Sequence, residues 1–388
     1  MTAKQLFLNI IFGLSFVGFH AQEFPVVASC DPAVSLGSFT RAGEMEQVLK
    51  AFTQTGAPGV ALVVHSPEGW WYSAKGYARI EDTTTMEVCQ LQYLQSISKT
   101  YHAVAVMKLY EEGIVDLEKP ITEYLPWITE YVMGAPQVTV NMLLNHTSGI
   151  PEYNFNPNYV ARLLQSPEYA FTGKDYLGFI KGKPLTDEPG TRFSYRNTNY
   201  VILALLLDKL TGDHARFLEE RIFAPLGLFN TYYKKGEPSL DNPLLVNSYW
   251  DRNGTGIVEN ATYLQRKNVQ YMIGDDGIIT TPLDAVKFLK GLVEGKLLSE
   301  NTLKLMRTWT AHEDGEPAYG LGLDYVKING IEGYGHSGGG IGAGCELYYF
   351  PETDLYYFLS INLGVVTESP LHKGVEEVRS RFYSVLLD

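Results

Sequence analysis

Two residues in the stretch LQSISKTYH have the types and the spacing of a nucleophile and its base. Ser96 and Lys99 are three positions apart, and no other serine in the chain is followed by a lysine at that distance. If a helix begins near Ser96, the two side chains lie on one face, a turn apart. A serine hydroxyl is a useful nucleophile only when an adjacent base takes its proton. Ser98 points elsewhere on such a helix, so we predict Ser96 as the nucleophile and Lys99 as its partner.

A plain helix cap at Ser96 with a solvated lysine would explain the same pattern. Two later motifs favour the catalytic interpretation: Tyr195-Arg196-Asn197, the only Tyr-x-Asn in the chain, and His336-Ser337-Gly338 in GYGHSGGG. Ser-x-x-Lys, Tyr-x-Asn and His-x-Gly, in this order, resemble the motifs of the serine β-lactamase and DD-peptidase superfamily, on its class C-like branch. The stretch LLNHTSGIP is also similar to the family, and the likeness runs from about residue 45 to about residue 365.

The resemblance implies a role for each member of the reacting group. Ser96 would be acylated, Lys99 would take or relay its proton, and Tyr195 would pass a proton to the leaving group. The Lys99 amine would then need a pKa well below its usual value of about 10.4, which burial can provide. The N–H groups of Ser96 and Gly339 would form the oxyanion hole. Whether Lys99 or Tyr195 is the operative base stays open, because coupled groups titrate as a set.

The resemblance also implies residues that hold the substrate. Asn197 would hydrogen-bond the catalytic lysine or the substrate amide. His336 would lie on the strand opposite the nucleophile and take part in catalysis. Ser337 and Gly338 would contact the substrate, with the Ser337 hydroxyl holding a carboxylate or a carbonyl.

The third motif carries His where typical class C β-lactamases carry Lys. This variant is similar to DD-peptidases, D-aminopeptidases and esterases of the superfamily. We therefore predict an exported serine hydrolase, in the first place a D-alanyl-D-alanine carboxypeptidase or endopeptidase of cell-wall peptides. An esterase, a D-aminopeptidase and a β-lactamase are the alternative enzymes, and a non-catalytic penicillin-binding or sensor protein is the alternative outside catalysis. The substrate itself is not identified, because loops around such sites set specificity.

Other patterns in the chain receive structural interpretations. His146 in HTSG lies near a serine, but the spacing fits no nucleophile motif, so we predict a structural histidine. No CxxC or HExxH pattern occurs, and neither a metal site nor a cofactor is expected. An oxidising compartment would allow one disulfide, and the sequence leaves its pairing open. The three cysteines are Cys30, Cys89 and Cys345.

Charge and the first residues indicate partners and compartment. The formal net charge of −13 disfavours nucleic acid and anionic lipid as partners, leaving a small molecule or a peptide. Residues 1–21 have the pattern of a secretory signal peptide with a cut after Ala21, and no later segment is apolar enough to span a membrane. The mature protein would be periplasmic or secreted. VASC resembles a lipobox, so a lipid anchor at Cys30 is the alternative. The oligomeric state is open.

The elements predicted to position these residues are a helix, two strands, a long helical insertion, three strands and a helix. GVALVVH and WWYSAKGYARI form the first strand group, and YGLGLDYVKI, CELYYF and LYYFLSIN form the second. This order predicts an α+β fold with an antiparallel sheet covered by helices, and the resemblance implies five strands. Residues 22–100 and 291–388 would form a sheet lobe, residues 101–290 a helical lobe, and the substrate would bind between them.

Overall fold

The computed structural model describes residues 37–233 and 242–387 of the 388-residue chain. The predicted signal peptide, residues 1–21, and the predicted alternative lipidation site, Cys30, lie outside the described residues. Within the two described ranges, no helix is long and apolar enough to cross a bilayer. Cys345 is buried and free, so the predicted disulfide does not involve it.

The described strands form one large and two small antiparallel sheets. The strands are β1 (Gly59–Ser66), β2 (Gly69–Arg79), β3 (Thr84–Thr85), β4 (Gln92–Tyr93), β5 (Thr231–Tyr233), β6 (Tyr249–Trp250), β7 (Glu259–Asn260), β8 (Ile278–Thr280), β9 (Asp324–Ile328), β10 (Ile331–Gly339), β11 (Gly344–Phe350) and β12 (Leu355–Ile361). The large sheet has the order β3-β2-β1-β12-β11-β10-β9. Its two halves come from distant parts of the chain and meet where β1 pairs with β12, with Val63 opposite Phe358.

The predicted α+β class is confirmed, but the large sheet has seven strands rather than five. Only the second half of YGLGLDYVKI is a strand, β9, and the Gly-rich third motif forms a strand of its own, β10. Because glycine is unfavourable inside strands, strand propensity alone does not predict β10. The glycines allow β10 to lie close to β11, since a Cβ on Gly335 would lie 2.0 Å from the Leu347 carbonyl oxygen on β11.

Helices cover both faces of the large sheet. They are α1 (Ala42–Gln54), α2 (Ser98–Glu111), α3 (Ile121–Tyr124), α4 (Val140–Leu144), α5 (Pro157–Gln165), α6 (Gly173–Gly178), α7 (Asn197–Thr211), α8 (His214–Leu218), α9 (Ala224–Leu226), α10 (Thr262–Tyr271), α11 (Pro282–Val293), α12 (Glu300–Met306) and α13 (Pro370–Leu387). Short 3₁₀ segments lie at Gln95–Ile97, Pro126–Glu130 and Ala135–Gln137, and a π-helical turn lies at Glu219–Phe223. Helices α1 and α13 pack together on one face.

Hydrophobic periodicity explains how each helix packs. In α1 the buried residues Met45, Val48, Leu49 and Phe52 recur at helical spacing and form one apolar stripe on the sheet. Helix α2 is buried nearly all round, because it lies inside the molecule and packs against α7, α8 and the π-helical turn. Helix α11 packs on β1, β11 and β12, although the predicted boundary at residue 290 assigns most of it to the helical lobe. The division into lobes stays a prediction.

A small three-stranded sheet holds the start of α2 and the segment that leads into it. Its order is β4-β8-β5, so Gln92 on β4 pairs with Thr280 on β8. The Leu94 N–H donates to the Ile278 carbonyl at 3.0 Å, and the Ile278 N–H donates to the Ser98 hydroxyl at 3.2 Å. The turn that carries Ser96 is therefore fixed against the start of β8.

Candidate active site

Ser96 lies in a tight turn at the entrance to α2. It occupies the 3₁₀ segment Gln95–Ile97, which continues directly into the helix, and its side chain is partly exposed. The residue before it, Gln95, has a φ of +48°, a strained conformation for a residue with a side chain. The Lys99 Nζ lies 3.0 Å from the Ser96 Oγ. The structure thus brings together the two side chains that helical spacing predicts to meet.

Burial controls the charge of Lys99. The side chain is 0% exposed, and its Nζ donates a second hydrogen bond, 2.8 Å long, to the Asp275 carbonyl oxygen. Desolvation lowers the pKa of Lys99 from its usual value, while the charges of Asp275, Asp276 and Glu152 oppose the shift. A buried amine with a lowered pKa beside a serine hydroxyl has the properties of a proton acceptor.

Tyr195 completes the reacting group. Its ring centroid lies 5.0 Å from the Lys99 Nζ, and its buried hydroxyl has no hydrogen-bond partner of good geometry among the described residues. Burial raises the pKa of the Tyr195 phenol well above its usual value, and the Ser96 hydroxyl opposes that shift. Tyr195 therefore holds its proton more firmly than a free tyrosine does.

His336, on β10, lies behind the side chains of Ser96, Lys99 and Tyr195 and does not face the cavity. Its Nδ1 lies 2.5 Å from the Ser337 carbonyl and its Nε2 lies 2.8 Å from the Tyr319 hydroxyl. A carbonyl only accepts, so Nδ1 carries the proton and Nε2 accepts from Tyr319. Desolvation lowers the pKa of His336, although Asp324 opposes the shift. The third motif therefore supplies a neutral ring where a lysine would supply a charge.

In the rest of the third motif, Ser337 and Gly338 contact other parts of the protein, whereas the next residue, Gly339, lines the cavity. The Ser337 N–H and hydroxyl both point to the Asp324 carboxylate at 3.4 Å. Gly338 is buried against the turn that carries the nucleophile. Gly339 is exposed and lines the cavity beside Ser96. The substrate contacts expected of Ser337 and Gly338 and the oxyanion-hole role expected of Gly339 stay predictions.

His146 positions the second motif from behind. Its Nδ1 lies 3.2 Å from both the Arg196 N–H and the Asn199 side-chain nitrogen, and its ring centroid lies 4.4 Å from that of Tyr195. Because Nδ1 accepts from a backbone N–H, His146 must be neutral there. Desolvation, followed by the charge of Lys99, lowers its pKa well below the usual value. His146 has the structural role that the sequence predicts, in direct contact with a predicted catalytic ring.

Glu152 holds the start of α7, where Asn197 lies. Its carboxylate accepts from the Asn197 N–H and from the Asn154 N–H, the latter at 3.2 Å. Burial raises the pKa of Glu152 to about 7 against the effect of these hydrogen bonds. The Lys99 amine makes neither of its two hydrogen bonds to Asn197. Asn197 instead lines the cavity.

The nucleophile opens into a cavity of about 480 Å³ whose lining combines apolar side chains with two acids. The acids are Asp275 and Asp276. None of the described residues that line the cavity is Lys or Arg. The apolar lining includes Phe155, Tyr159, Leu163, Trp250, Met272 and Ile341. Such a cavity has the size and the mixed lining of a small-molecule site.

The family model described as Beta-lactamase matches residues 45–374, which include all three motifs. The chain belongs to the Beta-lactamase family. The predicted superfamily is thereby confirmed, whereas the class C-like branch stays a prediction.

Relatives of this family member include a penicillin-binding protein, a D-amino acid amidase and a D-stereospecific amidohydrolase. Penicillin-binding protein 4* of Bacillus subtilis is 26% identical over 72% of this chain and 62% of that protein. The D-amino acid amidase from Ochrobactrum anthropi SV3 is 26% identical, with a TM-score of 0.76 over 89% of this chain and 98% of that one. A D-stereospecific amidohydrolase from Streptomyces sp. is 25% identical, with a TM-score of 0.74 over 86% and 97%. The chain spans 60% and 62% of the first two curated relatives it matches.

The sequence reasoning missed the acidic residues that surround the Lys99 amine in this Beta-lactamase family member. Asp275 and Asp276 stand between glycines in the stretch IGDDGI, and two adjacent acids at a tight turn next to a buried strand are a signal that was available. Glu152 follows the recognised stretch HTSGIP and could have been included with it. Their proximity to Lys99 depends on contacts between distant segments, which no local pattern reveals.

Gly338 is expected to tolerate no side chain. A Cβ there would lie 2.5 Å from the Leu94 carbonyl oxygen and 2.8 Å from the Cys345 Sγ, so Gly338→Ala should push the nucleophile's turn away from β10. Overpacking of this kind costs about 1–3 kcal/mol. We expect a lower melting temperature and slower covalent labelling of Ser96.

Gly43→Ala is the matched control for this prediction, because nothing lies within 4 Å of the Cβ that it would add. It should leave the labelling rate close to the parent value and the melting temperature equal to or slightly above it, since alanine favours a helix more than glycine does. A Gly338→Ala protein as stable as Gly43→Ala would contradict the close packing described for β10.

Proposed function

We propose that this Beta-lactamase family member is a serine hydrolase that cleaves amide bonds through an acyl-enzyme on Ser96. The observation that carries the proposal is the buried Lys99 amine 3.0 Å from the Ser96 hydroxyl at the edge of a cavity. Lys99 takes the proton of Ser96 while Oγ forms a bond to the substrate carbonyl carbon. The N–H groups of Ser96 and Gly339 stabilise the oxyanion.

The second half of the reaction follows from the same groups. Collapse of the tetrahedral intermediate breaks the C–N bond, and the leaving amine takes a proton from the Tyr195 hydroxyl, which recovers one from Lys99. Water then hydrolyses the Ser96 ester and regenerates the enzyme. The opposite pKa directions of the two groups support this assignment, since burial lowers the pKa of Lys99 and raises that of Tyr195. Lys99 is then the first base and Tyr195 the donor.

Two substrate types compete. A D-alanyl-D-alanine carboxypeptidase or endopeptidase is the first expectation from the sequence, together with export to the periplasm or the medium, and the penicillin-binding relative supports it. An amidase or aminopeptidase of D-amino acids is the second, and the two amide-hydrolysing relatives support it. The cavity favours the second type, because a terminal carboxylate is usually bound by a cation. His336 is neutral, and the described cavity lining includes no Lys or Arg.

Release of products from a small panel of substrates tests this proposal. The parent protein and Ser96→Ala would be compared on D-phenylalanine amide, a peptide ending in D-Ala-D-Ala, a p-nitrophenyl ester and nitrocefin. We expect Ser96-dependent ammonia release from the amide to exceed D-alanine release from the peptide. The reverse order would favour the carboxypeptidase, and dominant turnover of the ester or nitrocefin would favour an esterase or a β-lactamase. No turnover, with no labelling of Ser96 by a fluorophosphonate, would favour a non-catalytic sensor.

A further inference from the structure

Asp276 is an acidic residue of the cavity whose carboxylate accepts a single hydrogen bond from the described residues. It is 5% exposed and lines the same cavity as Ser96. The Gly277 N–H donates to its Oδ1 at 2.6 Å, and no other described residue donates a hydrogen bond to its carboxylate. A carboxylate can accept about four hydrogen bonds. One oxygen of a nearly buried carboxylate is therefore left for a ligand.

The neighbouring acids, Asp275 and Glu152, already accept hydrogen bonds from other residues of the protein. The Tyr153 hydroxyl donates to the Asp275 Oδ2 at 2.7 Å, and the Asp275 backbone carbonyl accepts from Lys99. Glu152 accepts from two backbone N–H groups, one of Asn197 at the start of α7 and one of Asn154. A buried carboxylate with a single hydrogen bond and no paired cation is costly, and a bound cation offsets that cost.

The ionisation of Asp276 is consistent with a ligand of positive charge. Desolvation, followed by the charge of Asp275, raises the pKa of Asp276 to about 7, and Lys99 opposes the shift. A cation bound beside it would favour the ionised form. Lys99 does not fill this role fully, because its amine is also within hydrogen-bonding distance of Ser96.

We propose that Asp276 binds an ammonium group of the substrate and so selects amides and peptides that carry a free amine. This inference rests on the proposed function and narrows it. The apolar lining that includes Trp250 and Met272 would hold the substrate's side chain while the ammonium faces Asp276. Substrates whose amine is acylated, or whose bound end is a carboxylate, would meet an acidic surface and bind weakly.

A matched pair of substrates tests this selection. D-phenylalanine p-nitroanilide and its N-acetyl form differ only in the charge of the amine. We expect the parent to prefer the free amine by about 10-fold or more, and Asp276→Asn to lose about 10- to 100-fold in kcat/KM on it, chiefly through KM. The test is the ratio of the two kcat/KM values, which should fall towards one in Asp276→Asn, because any effect of the variant through the Lys99 amine changes both substrates alike. Asp314→Asn removes a negative charge from an exposed residue and should change neither value.

A binding measurement separates failure of this inference from failure of the proposed function. Ser96→Ala would be titrated by calorimetry with D-phenylalaninol and with 3-phenylpropanol, which lacks the amine. We expect the amine-bearing probe to bind at least about 10-fold more tightly, and Asp276→Asn in the same background to remove that difference. Equal binding of both probes would overturn the assignment, whether or not the parent turns over any amide.

Two kinetic outcomes would also overturn it. If Asp276→Asn slowed both p-nitroanilides equally, together with fluorophosphonate labelling of Ser96, Asp276 would act through the Lys99 amine rather than on the substrate. If the parent did not distinguish the two substrates, no ammonium site would exist. Failure of the parent to label at Ser96 would instead reject the acyl-enzyme itself.

Discussion

Replacement of Ser96 by alanine is expected to remove covalent labelling altogether and to lower amide turnover by about 1,000-fold or more. Among the described residues, the Ser96 hydroxyl is the one proton donor hydrogen-bonded to the Lys99 amine, since the second hydrogen bond of that amine goes to the Asp275 carbonyl. The protein should fold normally, because the side chain is small and partly exposed. Intact-protein mass after incubation with a penicillin or a fluorophosphonate measures the loss.

Ser98→Ala is the matched control, because it changes the other serine of the same motif. Ser98 is buried, and its hydroxyl accepts from the Ile278 N–H at 3.2 Å. Its loss leaves a buried N–H unpaired, which costs about 1–3 kcal/mol. Ser98→Ala should therefore melt at a lower temperature and still become labelled. A label that survives in Ser96→Ala but is lost in Ser98→Ala would reverse the assignment.

The geometry at Ser96 and Ser98 shows which parts of the site a sequence can predict. The relation of Ser96 to Lys99 depends on one turn of helix, so spacing alone was sufficient. The places of Tyr195 and His336 depend on the fold, and the resemblance of two short motifs supplied them. In each case the information lies within a few residues or in a fixed order of motifs.

What the sequence did not predict depends on contacts between distant segments. Glu152 and Asp276 come within reach of the Lys99 amine only because the small sheet joins β4 to β8 and because α7 begins beside residues 152–154. The left-handed conformation of Gln95 is likewise imposed by packing, since its side chain lies against Gly340. Helical and strand propensities carry no information on such tertiary constraints.

The same contacts explain why the change from Lys to His in the third motif has an electrostatic consequence. A lysine on β10 would bring a positive charge towards the cavity, whereas His336 is neutral and is occupied by Tyr319 and the Ser337 carbonyl. The charge left in the neighbourhood of Ser96 is then that of the acids and of Lys99. This balance favours a substrate that is neutral or positively charged, which agrees with the role proposed for Asp276.

Lys99→Met is expected to slow acylation of Ser96 by about 100- to 10,000-fold, the range that a positioned proton acceptor contributes. Methionine has a similar length and suits a fully buried position, so the core should stay packed. Folding is best compared by thermal melting at pH 6, where Asp276 and Glu152, with pKa values of about 7, are mostly protonated and need the amine least. Lys108→Met is the matched control on the same helix, because its Nζ donates to the Leu297 carbonyl away from the site.

The pH dependence of labelling distinguishes a lysine base from its neighbours. Lys99 accepts a proton only when it is neutral, so the parent's labelling rate should rise with pH as the amine loses its proton. Because desolvation lowers the pKa of Lys99, this rise should occur below the range of an ordinary lysine. The residual rate of Lys99→Met should lack the rise. If the variant kept it, the titrating group would be a carboxyl such as Glu152 or Asp276, and Lys99 would serve to hold the turn rather than to take the proton.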